Sequence, residues 1–170
     1  DAIVELKNTV WDNGNAIFQP TSFQISNIHS GTGAKNVVPG ELEMFFNFRY
    51  STESSQETLI DEFEAILKKL NIEYEIDWKL SGLPYLTEKD NLKDVVVQSV
   101  EKITGYSPDL NAKGGTSDGR FIAKMGTEIV ELGPLNETIH QIDEHIKISE
   151  LWTLKNIYTD ILKGLNKKLA

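Results

Sequence analysis

SSQETLIDEFEAILKKLNIEYEIDWKL, residues 54–80, changes its hydrophobic period halfway along, and that change decides the fold class. Leu59, Ile60, Phe63, Ile66, Leu67 and Leu70 recur at helical spacing behind Ser54-Ser55-Gln56-Glu57, which reads as a capping box. From Ile72 the period drops to two: Ile72, Tyr74, Ile76, Trp78 and Leu80 face one way, Glu73, Glu75, Asp77 and Lys79 the other. A strand with one apolar and one charged face fits an antiparallel sheet covered by helices on one side.

Upstream, Phe23 and Ile25 alternate with Gln24 and Ser26, and Leu42, Met44, Phe46 and Phe48 alternate with Glu41, Glu43, Phe45 and Asn47, so two more strands are predicted. A connection rich in turn residues, 31–40, separates them. Before these, Ile3, Leu6 and Val10 form the stripe of a helix ended by Asp12-Asn13-Gly14, with no capping residue ahead of Asp1. Helix, strand, strand, helix, strand is a split βαβ sandwich without its first strand. Ser81-Gly82-Leu83-Pro84 marks a boundary, giving domains 1–82 and 83–170.

The second half alternates helices and strands, as an α/β layer does. A helix carries Leu92, Val95, Val96, Val100 and Ile103 and stops near Gly105. A short helix is expected from Asp118 to Met125, a short strand over 128–132, and a final helix capped by Ser149 and bearing Leu151, Leu154, Ile157, Tyr158, Ile161, Leu162 and Leu165. The fold class is α/β (α+β).

The chain has 170 residues and a formal net charge of -9, with 17 Lys and Arg thinly spread among 26 Asp and Glu. A nucleic-acid binder carries a basic stripe; none is visible. No apolar run reaches the ~18 residues of a membrane helix, and no signal peptide is visible at the N-terminus. Cysteine is absent, which removes disulfides and thiolate metal sites and fits a reducing cytoplasm. No nucleophile triad can be assembled, since no serine sits in a nucleophile elbow.

Gly114-Gly115-Thr116-Ser117-Asp118-Gly119-Arg120 is the most pointed segment. Its glycines let backbone approach a ligand and its N–H groups suit an anion, although a glycine turn with an Asp or Ser N-cap reads equally well. His140, in the loop beyond Gly133-Pro134, stands where a metal ligand or proton-transfer group often does, or is simply a solvated histidine. Arg49 points away from the small core and suits bidentate binding of a carboxylate, or is a surface arginine.

Taken in order, Ser30-Gly31-Thr32-Gly33, Asn36-Val37-Val38-Pro39-Gly40-Glu41, Phe46-Asn47-Phe48-Arg49, Leu80-Ser81-Gly82, the Gly-Gly-Thr-Ser-Asp-Gly-Arg run and Asn136-Glu137-Thr138-Ile139-His140 resemble the bacterial succinyl-diaminopimelate desuccinylases. These belong to the co-catalytic zinc family that also contains aminoacylases and carboxypeptidases. The resemblance covers the whole chain. It implies the C-terminal part of a ferredoxin-like lid (dimerisation) domain over 1–82, followed by the C-terminal part of a zinc-hydrolase α/β catalytic domain. It also implies hydrolysis of N-succinyl-LL-2,6-diaminopimelate on the route to lysine and cell-wall precursors, two zinc ions (or cobalt) in the intact enzyme, a homodimer through the lid and a cytoplasmic location. Position by position, His140 matches a zinc ligand. Gly115 and Thr116 match the loop at the scissile amide, and Asn136 lies beside the metal loop. Arg49, Ser81 and Gly82 match contacts to substrate carboxylates, and Asn36 matches a lid residue reaching an active site. The other metal ligands and the general-base glutamate would lie upstream, so no catalytic residue falls in this chain, which alone should be inactive. A non-catalytic dimerisation or binding module, or a related deacylase or peptidase acting on another N-acyl amino acid, are the rival readings.

Overall fold

The computed structural model describes all residues except 115, 116, 136 and 170, and the side chains of 167–169 are likewise outside the description. The chain divides into two compact units, one of residues 1–84 with 111–114, the other of 85–110 with 115–170.

In the first unit, helix α1 (Ala2–Asn8) is followed by strands β1 (Ser22–Ser30) and β2 (Leu42–Arg49) and then helix α2 (Gln56–Lys69). The strands form a two-stranded antiparallel sheet. Register runs from Ser22 opposite Arg49 to Ser30 opposite Leu42, with a bulge between Ile25 and Asn27. An extra residue reverses the phase of a strand. Phe23 and Ile25 therefore share a face with Phe48 and Phe46, while beyond the bulge Ile28 is opposite Met44. The inner face packs on α2: Phe46 stacks on Phe63 at 4.7 Å between centroids, and Phe48 meets Trp11 edge-on at 4.7 Å. Leu6, Trp11, Leu59, Phe63 and Leu67 form the buried centre.

Three expectations are corrected here. The first helix ends at Asn8, because Thr9 is already extended, and Val10 is exposed. The capping box is one residue later than read: the N-cap is Ser55, reciprocated by Thr58. Residues 72–80 belong to no sheet. Their alternation is real, with Tyr74, Ile76 and Trp78 packed on the core and Glu73, Glu75, Asp77 and Lys79 exposed. Glu64 on α2 accepts hydrogen bonds from Tyr74 Oη (2.9 Å) and Trp78 Nε1 (3.3 Å). A ladder needs a neighbouring backbone about 4.8 Å away. Among the described residues none pairs with this segment, and Ile72 and Leu80, read as inward, are exposed.

The second unit holds α3 (Asn91–Thr104), the short α4 (Gly119–Ala123) and α5 (Ile148–Leu169). Gly105, in the left-handed region at φ 77°, ends α3 as a C-cap. Val95 and Val96 on α3 and Ile157 and Ile161 on α5 form its core, flanked by Val130 and Leu132. Residues 128–132 are not a strand. They are stitched to 85–92 by side chains: Thr87 Oγ1 donates to Ile129 O (2.6 Å) and accepts from Ile129 N (3.0 Å), while Glu128 accepts from Leu92 N (2.7 Å). Ser149 does not cap α5 but lies inside it.

Candidate functional site

Arg49 closes β2 and its side chain lies on the exposed face. The next residue, Tyr50, donates from Oη to the carbonyl of Gly82 at 3.3 Å. The fold thereby brings the end of β2 to the Ser81-Gly82 segment, which is 32 residues away in sequence. Burial and the nearby Glu57 carboxylate raise the Tyr50 phenol, keeping it a donor at neutral pH. A cavity of about 460 Å³ opens beside Tyr50, lined also by Thr52, the Ser54–Glu57 start of α2, Leu80, Leu83 and Pro84. Asn36 lies in an exposed turn of the β1–β2 connection.

His140 sits in the second unit, in the turn after Glu137, with a left-handed backbone at φ 59°. A non-glycine residue there is uncommon and strained, and such residues concentrate at functional sites. The turn is closed by Thr138, whose Oγ1 donates to His145 O (2.9 Å) and accepts from His145 N (3.1 Å). The imidazole of His140 is exposed. His145 is held locally through Nδ1 and Asp143 O, 2.7 Å apart.

Gly115, Thr116 and Asn136 lie outside the described residues. Their neighbours do not. Ser117 donates to Glu131 and accepts from Gly119 N at 3.0 Å, and Tyr85 Oη donates to the same Glu131 oxygen at 2.5 Å. Sequence reasoning missed Glu131 and Tyr85, because nothing in their spacing announces a pair 46 residues apart.

Among the described residues no group of three or more His, Cys, Asp and Glu could hold a metal ion. A zinc site needs about three protein donors and a water, so the residues described here do not by themselves fit the zinc that the resemblance implies. No described helix is long and apolar enough to cross a membrane.

Residues 1–75 match the peptidase dimerisation domain. Succinyl-diaminopimelate desuccinylases of Stutzerimonas stutzeri and Pseudomonas syringae are each 55% identical to this chain, over 96% and 95% of its length. That of Thioalkalivibrio sulfidiphilus is 51% identical over 96%. The chain spans only 43–44% of the length of these relatives. Among solved structures, an M20 family metallo-carboxypeptidase from Sulfolobus solfataricus superposes with a TM-score of 0.62 at 18% identity, over 87% of this chain and 36% of that one; this is likeness of fold. Over nearly its whole length, then, the chain is similar to succinyl-diaminopimelate desuccinylases, and its first 75 residues match the peptidase dimerisation domain.

Proposed function

We propose that the intact polypeptide carrying these residues is a zinc-dependent amidohydrolase that converts N-succinyl-LL-2,6-diaminopimelate to succinate and LL-diaminopimelate. On this reading residues 1–82 are the latter part of a lid that dimerises with a second copy, and 83–170 are the returning part of the catalytic domain. The observation that carries it is the 51–55% identity to desuccinylases across nearly the whole chain.

The substrate bears several carboxylates, and this chain supplies groups suited to them. Arg49 offers a planar fork for bidentate binding of one carboxylate. Tyr50, through the Gly82 carbonyl, ties the Ser81-Gly82 backbone to the residue that follows Arg49, which supports a shared role for these groups. Gly115 and Thr116 bind near the scissile amide, Asn136 beside the metal loop, and Asn36 reaches an active site from the lid. His140 is one zinc donor, carried on a turn that the Thr138–His145 pair closes. The remaining donors and the general base come from polypeptide outside these residues, and the location is cytoplasmic.

A second reading, a dimerisation module without catalysis, is favoured by the dimerisation-domain match over residues 1–75. The two separate experimentally. The intact enzyme should release succinate, and the purified 170-residue chain with added zinc should not. In the intact enzyme His140→Ala should lower bound zinc by elemental analysis and reduce kcat/KM by about three orders of magnitude, the worth of several kcal/mol of metal-ion catalysis. Full zinc in that variant would remove His140 from the ligand set. Turnover of another N-acyl amino acid in place of the succinyl substrate would replace the substrate while keeping the enzyme class.

A further inference from the structure

Asn13 is exposed, and it is the one asparagine of the sequence that a glycine follows. Asparagine is a thermolabile residue, and a following glycine, with no side chain to obstruct, is the neighbour that most favours its deamidation. In that reaction the Gly14 nitrogen gives up its proton and attacks the side-chain carbonyl carbon of Asn13. The new N–C bond closes a cyclic imide, the C–N bond of the side-chain amide breaks, and ammonia leaves. Water then opens the imide at either carbonyl, leaving aspartate or isoaspartate at position 13.

The fold acts on the attacking atom. Gly14 N donates to Asp12 Oδ1 at 2.8 Å. Asp12 is ionised at neutral pH, so taking that proton away would set an amide anion against a carboxylate. The carboxylate is itself fixed in place: Oδ1 also accepts from Thr21 N at 2.8 Å, and Oδ2 accepts from Ser51 Oγ at 2.9 Å. Gly14 has no substitute here. Its φ is 62°, and a Cβ would lie 2.5 Å from Phe18 O, 2.6 Å from Pro20 N and 2.7 Å from Gln19 C, all of them backbone. The turn thus demands the glycine that makes Asn13 labile, and supplies the carboxylate that restrains it.

We propose that Asn13 is a site of spontaneous deamidation, with water as co-reactant, and that the hydrogen bond from Gly14 to Asp12 sets its rate. The change is irreversible. Either product adds a negative charge beside Asp12, and isoaspartate inserts a backbone carbon into a turn with no room for a methyl group at Gly14.

The test follows the intact protein at neutral pH by peptide mapping, which separates asparagine, aspartate and isoaspartate at position 13. Asn13 should convert about tenfold more slowly in the folded protein than in a free peptide of residues 8–19, tenfold being the worth of one hydrogen bond to a charged group. Asp12→Ala should approach the peptide rate, and Asp12→Asn, which keeps an acceptor without the charge, should fall between. Ser54→Ala removes a different hydrogen bond to the same carboxylate and so controls for lost stability; its rate should stay near that of wild type. Independently, hydrogen exchange at the Gly14 amide should quicken in Asp12→Asn and not in Ser54→Ala. A wild-type rate equal to that of the peptide would overturn the proposal. So would equal acceleration in Asp12→Asn and Ser54→Ala, because opening of the fold, and not this one bond, would then govern the reaction.

Discussion

Asp12 shows how much one side chain settles at the scale of a residue. Its carboxylate accepts from Gly14 N (2.8 Å), Thr21 N (2.8 Å), Thr21 Oγ1, Ser51 Oγ (2.9 Å) and Ser54 Oγ (2.5 Å). It therefore joins the start of β1, the end of β2 and the approach to α2. Ser51 and Thr21 are buried at 1% and 6% exposure, so their hydroxyls have no water to turn to. Burial alone would raise the Asp12 carboxyl, but the bonds from Ser54, Thr21 and Gly14 outweigh it and hold it well below its ordinary value. Asp12→Asn should cost about 2–3 kcal/mol at neutral pH, the scale of a hydrogen bond to a charged group lost with its partners left buried. Because the folded state binds the Asp12 proton more weakly than the unfolded chain, the carboxylate stabilises the fold above the unfolded value of 3.8 and stops doing so as pH falls from there through the folded value. The gap between the melting curves of wild type and Asp12→Asn should begin to narrow below about pH 4, where the unfolded carboxyl protonates, and go on narrowing as the pH falls further. A constant gap down to pH 2 would show that the charge does not matter.

At the scale of elements, the packing of α3 on α5 depends on a missing side chain. A Cβ on Gly164 would lie 2.8 Å from Val95 Cγ1, and Val95 is a buried, β-branched residue with little rotamer freedom. Gly164→Ala gains about 1 kcal/mol of helix propensity but overpacks a core contact, which costs about 1–3 kcal/mol, so a net loss near 1 kcal/mol is expected. Adding Val95→Ala should make the alanine at 164 favourable, a sign reversal that a double-mutant cycle by urea denaturation would detect. The same scale holds the clearest gap between pattern and pairing. Residues 72–80 alternate as a strand should, and their side chains obey it, with Trp78 edge-on to Phe46 and to Phe63 at 5.4 Å each. Alternation reports which side chains are buried; a ladder depends on which backbone lies alongside.

For the whole molecule, the second unit leaves large apolar side chains in water. On α5, Ile148, Trp152 and Leu162 are 75%, 66% and 68% exposed, and Met125 after α4 is 80% exposed. Single exposed apolar residues are ordinary in folded proteins; several large ones on one chain add apolar surface that water must solvate. The 170-residue chain alone should self-associate at micromolar concentrations, the range in which exposed apolar surface drives aggregation. Sedimentation velocity should show the association weakened by Trp152→Glu with Met125→Lys. A monomer unaffected by these changes would show that the exposed side chains are harmless.

Much of the fold was legible because periodicity is a local property. The helices at 56–69, 91–104 and 148–169, the strand at 42–49 and the first half of the strand at 22–30 follow from stripes and alternation that a local window reveals. The Ser26 bulge was not legible, since one inserted residue leaves both flanking patterns intact and only the partner strand exposes the slip. At the candidate site, residue types in order suggested Arg49, Ser81, Gly82 and His140. Tyr50 meeting Gly82 and Glu131 tying Tyr85 to Ser117 are decided by the tertiary fold. The sequence by itself determined which residues are apolar, where the chain turns, and which known enzymes it is similar to, because these depend on near neighbours and residue identity. Tertiary structure alone decided which hydroxyls converge on Asp12 and Glu131 and whether an alternating segment finds a partner strand. Those outcomes depend on distances between atoms far apart along the chain, which no local pattern encodes.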